Sequence, residues 1–257
     1  IMTRLDMNRN QLLKFLSSVG KDIPDLRVLC AGSKVTVEMA YATYYIRKMM
    51  IVPEGSISKE GTFNIADLHK VLKFLKASKN DIVTLRQTAE SKPFHIESGG
   101  NKLQIPSTTE IESASKVPIV RAMIQKATDN GWSHIGKKEI TAHGNIDATD
   151  LTTLADMKSL VAKESSFKLR MHCGENEFGI VAGKVVSGRL FTTLPMSNSK
   201  GPSNTIASCY GEWLPNCLNY LESKSTDVHM GEGTPVIFEQ EYDNGSVILM
   251  VVDMAED

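Results

Sequence analysis

Four times along this chain a short alternating strand leads into an amphipathic helix opened by a polar residue, and further strands close the unit. The first copy starts at Thr3–Met7 and turns helical at Asn8, with Leu12, Leu13, Leu16 and Val19 on one side; strands over Leu26–Ala31, Lys34–Tyr41 and Tyr44–Val52 follow. The second starts at Gly61–Asn64, with Asn64 expected as the N-cap of a helix carrying Leu68, Val71, Leu72 and Leu75. Its strands are Ile82–Gln87, Phe94–Glu97 and Lys102–Ile105. The third places a strand at Glu139–Asp147, a helix over Ala148–Ala162 and strands at Phe167–Cys173, Phe178–Val186 and Arg189–Leu194. In the fourth, Thr205–Cys209 leads to a helix with Trp213, Leu214, Cys217, Leu218 and Leu221, then Asp227–Met230, Val236–Tyr242 and Ser246–Asp253. Asn244-Gly245 between the last two strands is a two-residue hairpin signal.

Helix starts near Asn8, Asn64, Asp147 and Gly211 are closer within each half than across the middle, so the excess marks a linker. It coincides with the polar stretch 107–116, which has no apolar periodicity. The expectation is two similar α+β domains, 1–106 and 117–257, joined by 107–116. Lys+Arg 29 against Asp+Glu 30 excludes a bulk polycation, so contact with nucleic acid requires local segregation of charge. Cys30, Cys173, Cys209 and Cys217 are far apart with no paired spacing, the pattern of reduced thiols rather than of a disulfide frame or zinc site. No apolar run approaches the length of a membrane span, and Ile1–Asn10 lacks a signal-peptide core. A soluble intracellular protein with no membrane partner is expected.

Phe63-Asn64-Ile65-Ala66-Asp67-Leu68-His69-Lys70-Val71-Leu72-Lys73, followed by Asn80–Arg86, resembles the second helix and next strand of the proliferating cell nuclear antigen family of DNA sliding clamps. Thr234–Glu239, continuing through Gly245 to Val252–Asp257, is similar to that family's closing hairpin and acidic tail. With the order of the four units, the resemblance covers nearly the whole chain. It implies a DNA-clamp fold with helices lining the inside and sheets outside, and a homotrimeric ring, since two-domain members close as trimers. Open sheet edges at both ends of a subunit aggregate unless they pair, and head-to-tail pairing with closing rotation makes a ring. By resemblance the pairing edges are Lys102–Ile105 and a strand within Phe178–Val186.

The resemblance also implies the sites. On the second helix His69, Lys70, Lys73 and Lys76 lie opposite the apolar stripe, with Lys79 just beyond; Arg9, Lys14 and Lys21 match this role on the first helix. On residues alone this is either an ordinary solvated lysine face or a phosphate-facing one; the family implies the second, a sequence-independent, salt-sensitive contact with duplex DNA. The second half departs from the pattern. Lys158 and Lys163 stand with Asp150 and Asp156, Lys224 with Glu212 and Glu222, and Lys137 and Lys138 precede the third helix. A groove for the apolar anchors of partner peptides is implied at Met39, Tyr44, Val117, Ile119, Pro235, Met250, Val251 and Val252.

No nucleophile elbow, phosphate-binding loop or metal spacing of histidines occurs, and Gly231-Glu232-Gly233 reads as a turn. The expected function is therefore non-enzymatic and cofactor-free: a processivity factor that encircles duplex DNA at the site of replication. Its expected partners are a DNA polymerase, a clamp loader ATPase, other clamp-binding peptides and further copies of itself. A monomeric viral processivity factor and a β-rich virion protein are the alternatives.

Overall fold

The computed structural model describes residues 2–19, 23–41, 44–156, 166–184, 188–210, 221, 224–241 and 247–252. Along the chain run β1 (Thr3–Asn8), α1 (Arg9–Ser17), β2 (Leu26–Ala31), β3 (Lys34–Ala40), β4 (Tyr44–Ile51), β5 (Ile57–Lys59), β6 (Gly61–Ile65) and α2 (Leu68–Ala77). Next come β7 (Ile82–Gln87), β8 (Phe94–Ser98), β9 (Asn101–Ile105), a 3-10 turn (Glu112–Ala114), α3 (Val117–Asp129), β10 (His134–Ile135) and β11 (Lys138–Glu139). They are followed by β12 (Ala142–Ile146), α4 (Ala148–Asp156), β13 (Ser166–His172), β14 (Glu177–Lys184) and β15 (Gly188–Pro195). The last are β16 (Ser197–Lys200), β17 (Thr205–Tyr210), β18 (Thr226–Met230), β19 (Val236–Glu241) and β20 (Val247–Val252). The chain forms two compact units, Ile1–Ala40 with Ile46–Pro118 and Tyr242–Val247, and Tyr41–Tyr45 with Ile119–Glu241 and Ile248–Asp257.

In the first unit the strands of one sheet lie in the order β5-β1-β7-β8-β9, and a second series runs β4-β3-β2-β6. Alternation decides which faces are buried: β1 hides Thr3, Leu5 and Met7 while Arg4 and Asp6 stay at the surface, and β7 hides Val83, Leu85 and Gln87. α1 and α2 pack against each other. Leu12, Phe15 and Leu16 are buried from α1, and Leu68, Val71, Leu72 and Leu75 from α2. Each such Leu, Val or Phe contributes about 1.5–3 kcal/mol on burial. Phe63 and Phe94 meet edge to face at 5.6 Å between centroids.

Asn64, expected as the N-cap of the second helix, is instead fully buried in β6. Its main-chain N–H donates to Gln87 Oε1 at 2.8 Å and its Nδ2 to the Thr108 carbonyl at 3.1 Å. Asp67 caps the helix, its Oδ1 accepting the Lys70 N–H at 3.0 Å. Both residues suit a cap; the pairing of β6 with β2, in register from Leu26↔Ile65 to Cys30↔Gly61, holds the backbone extended past Asn64. Between β4 and β6 the short strand β5 pairs with β1.

The polar stretch 107–116 folds onto the first unit. Its 3-10 turn lies against β2 and β3. Asp25 accepts from the Glu112 N–H at 3.3 Å and the Ser113 hydroxyl at 3.5 Å, while Ile111, Ser113 and Ala114 are buried. After it come α3 and the β10–β11 hairpin, and then β12.

In the second unit the orders are β16-β12-β18-β19-β20, β15-β14-β13-β17 and β10-β11. Phe178 and Phe238 repeat the edge-to-face contact, at 6.1 Å. Gly231-Glu232-Gly233 is the turn between β18 and β19, closed by the Thr234 hydroxyl, which accepts the Gly231 N–H at 2.7 Å. The third helix is described to Asp156; the fourth helix and the Asn244-Gly245 turn lie outside the described residues.

β14, expected to be the open edge of this unit, is interior. It pairs with β13 from Phe167↔Ala182 to His172↔Glu177 and with β15 from Glu177↔Pro195 to Lys184↔Gly188. The terminal strand on that side is β15, and β9 is the terminal strand of the first unit's sheet.

Candidate nucleic-acid interface

The same spacing that buries one face of α2 exposes the other: His69, Lys70, Lys73 and Lys76 are all exposed, and Lys79 extends the row beyond the C-terminus. Lys14 is exposed on α1, alongside. Three lysines of α2 and Lys14 of its packed neighbour α1 are therefore exposed cations on adjacent helices.

Two anchors organise this surface. Arg9 is half-buried and donates from Nη1 to the Leu75 carbonyl at 3.1 Å, so its guanidinium joins the start of α1 to the last turn of α2. Lys70 Nζ lies 3.1 Å from Asp67 Oδ2, the two side chains being 63% and 34% exposed. An exposed pair of this kind is worth at most about 1 kcal/mol, so a phosphate can compete for the ammonium. The Asp67 carboxyl sits below its ordinary value. Burial acts against this by raising it, and is outweighed by hydrogen bonds from the Lys70 N–H and ammonium together with the charges of Lys70 and His69.

Lys137, Lys138 and Lys224 belong to the second unit. Lys137 and Lys138 are exposed on the β10–β11 hairpin, and the Lys138 ammonium is bonded to the Gly233 carbonyl. Lys224 is half-buried in the loop before β18, its carbonyl accepting from the Thr226 hydroxyl at 2.9 Å. Asp150 stands in the first turn of α4. Lys21, Lys158 and Lys163 lie outside the described residues.

The residues expected in the peptide groove divide. Met39 is 0% exposed and Val117 is 4% exposed, so neither offers a surface anchor; Met39 lies on β3, against which the 3-10 turn of the connection is seated. Ile119 on α3 is 76% exposed, and Tyr44 and Pro235 are half-exposed, with the Tyr44 ring 4.8 Å from that of Tyr41. Met250, Val251 and Val252 belong to β20, and their side chains lie outside the described residues. Sequence reasoning missed α3 altogether, although Val117, Ile124 and Ala127, its buried residues, carry helical spacing.

Among the described residues no cluster of three or more His, Cys, Asp or Glu side chains is placed to hold a metal ion. No described helix is long and apolar enough to cross a membrane. A cleft of about 730 Å³ in the second unit is lined by Lys138, Glu139, Thr205, Ile206 and Glu232, with no histidine or cysteine.

No family model and no curated protein sequence matches the chain. Solved structures do. Proliferating cell nuclear antigen of Thermococcus kodakaraensis superposes with a TM-score of 0.66 at 14% identity, over 98% of this chain and 100% of that one. That of A. fulgidus, solved with the C-terminal region of FEN-1, gives 0.67 at 12% over 99% of each. The DNA polymerase III beta subunit of Thermotoga maritima gives 0.72 at 10%, over 99% of this chain and 66% of that longer one. Superposition over essentially the whole chain, on top of the doubled unit and its strand order, establishes that this protein has the sliding-clamp fold.

Proposed function

We propose that the chain is a DNA sliding clamp: a non-catalytic processivity factor whose copies close into a homotrimeric ring around duplex DNA and tether a polymerase to it. The observation that carries this reading is the exposed row Lys70, Lys73, Lys76 and Lys79, with Lys14 beside it, on packed helices of a clamp-fold unit. Such a row holds phosphates without reading bases and so permits sliding. In this reading β9 of one copy pairs with β15 of the next, which removes both open edges. Tyr44, Ile119 and Pro235 of the second unit are the apolar anchors offered to partner peptides, and an ATP-driven loader opens the ring.

The test has two readouts. Light scattering at micromolar concentration should give about three times the 28.3 kDa chain mass. Protein loaded on circular DNA should be lost when the circle is cut. Retention after cutting, or a monomer mass under conditions that preserve loading, overturns the reading.

A further inference from the structure

A cluster in the second unit stands apart from the cationic row and the peptide anchors. Trp132, just after α3, donates its indole N–H to Glu239 Oε2 at 2.9 Å and stacks on His229, with centroids 5.2 Å apart and planes 17° apart. His229 and His143 are direct partners across β18 and β12, and their Nδ1 atoms are 2.9 Å apart. His229 Nε2 lies 3.6 Å from Glu239 Oε2 and is buried without a hydrogen bond of its own. Trp132 is 6% exposed and has φ of 60°, a left-handed conformation that a bulky residue adopts only when its surroundings impose it.

The contact between the two imidazoles requires one N–H and one lone pair. Glu239 favours a proton on His229 Nε2, which leaves His229 Nδ1 to accept from His143. One added proton is tolerated, because an imidazolium donates to a neutral ring. Two are not, because two N–H groups would then point at each other across 2.9 Å between like charges. Among the described residues the other charged or titratable groups around the pair are Lys200 of β16, opposite His143, Glu239 of β19, Asp227 of β18, two residues from His229 on the same strand face and opposite Glu239, and the Cys173 thiol beside the His143 main chain. Lys200 opposes the second proton further.

We propose that this cluster is a proton-operated clasp: it holds Trp132, and with it the segment from α3 to β11, on β12, β18 and β19 while at most one imidazole is charged, and lets go when both are. The His143 value is held below its ordinary 6.5 by burial, then by the charges of His229 and Lys200. A histidine lowered on folding stabilises the folded form fully above that ordinary value. The contribution is lost as pH falls below it.

The sequence has two tryptophans, so Trp213→Phe leaves Trp132 as the sole reporter. Between about pH 8 and pH 5 its emission should shift to the red in a step below 6.5 while far-UV circular dichroism stays constant. On the same background His143→Asn keeps an N–H donor near the Nδ1 position but cannot take a proton, and the red shift should disappear. Three results overturn the clasp: an unchanged emission maximum down to about pH 5 in the parent, loss of circular dichroism in the same step, or an Asn variant that titrates like the parent. The first two are read on the parent alone and stand even if the Asn variant does not fold.

Discussion

Arg9 Nη1 donates a hydrogen bond of 3.1 Å to the main-chain carbonyl of Leu75, tying the first turn of α1 to the last turn of α2 across 66 residues of sequence. The bond satisfies a helix-end carbonyl and places a cation at the negative end of α2. Arg9→Ala should therefore destabilise the fold by about 1–2 kcal/mol, read as a lower urea midpoint with an unchanged m-value. No change in midpoint would mean that water replaces the guanidinium at no cost.

Lys70→Glu with Lys73→Glu changes exposed side chains but breaks the Lys70–Asp67 pair and sets a carboxylate beside Asp67, so stability should fall by about 1 kcal/mol while the fold, read by circular dichroism, is kept. DNA affinity should fall. The slope of log affinity against log salt should flatten by about 0.9 for each phosphate that is no longer neutralised. An unchanged slope would remove α2 from the interface.

Asp67 has a carboxyl held below its ordinary 3.8, so its ionised form stabilises the fold above that value and loses this contribution as pH falls through the lower folded value. Asp67→Asn retains a capping oxygen but cannot ionise. The parent's advantage in thermal midpoint over this variant should shrink steadily below pH 3.8. A difference independent of pH would assign the effect to packing instead. Asp67→Ala, which removes the cap as well, should cost about 1 kcal/mol at neutral pH.

Leu103 lies in β9, the terminal strand of its sheet, and is half-exposed. If that edge pairs with another copy, Leu103→Asp places a carboxylate in the joint. Mass in solution should drop to the 28.3 kDa monomer while circular dichroism is retained. A variant that keeps the oligomeric mass would place the contact elsewhere.

Cys30 is fully buried in β2, and burial pushes its thiol up to about 12. The thiolate is the nucleophile, so at about pH 8 Cys30 should resist iodoacetamide in the native protein and react completely in denaturant, measured by peptide mass. Rapid native labelling would mean that β2 opens locally, together with the 3-10 turn that lies against it.

Features that depend on near neighbours were legible in advance. β2 and β7 have the bounds that alternation predicts, and α2 buries the four residues its spacing assigns to the core, which leaves its lysines exposed. Where two local signals competed, reading the sequence failed. Asn64 and Asp67 are equally good caps, and the choice belonged to a distant strand: Asn64 lies opposite Arg27 in the pairing of β6 with β2, 37 positions away along the chain.

The residues themselves therefore determined the bounds of β2 and β7, the buried face of α2 and the exposed lysines opposite it, because side-chain period and polarity are properties of short stretches of chain. Only the tertiary structure decided that β15 and not β14 ends its sheet, that Met39 is buried, and that His143 and His229 face each other 86 positions apart. An edge, a covered side chain and a shared proton each depend on what lies on the far side of a residue, and chain neighbours carry no record of that.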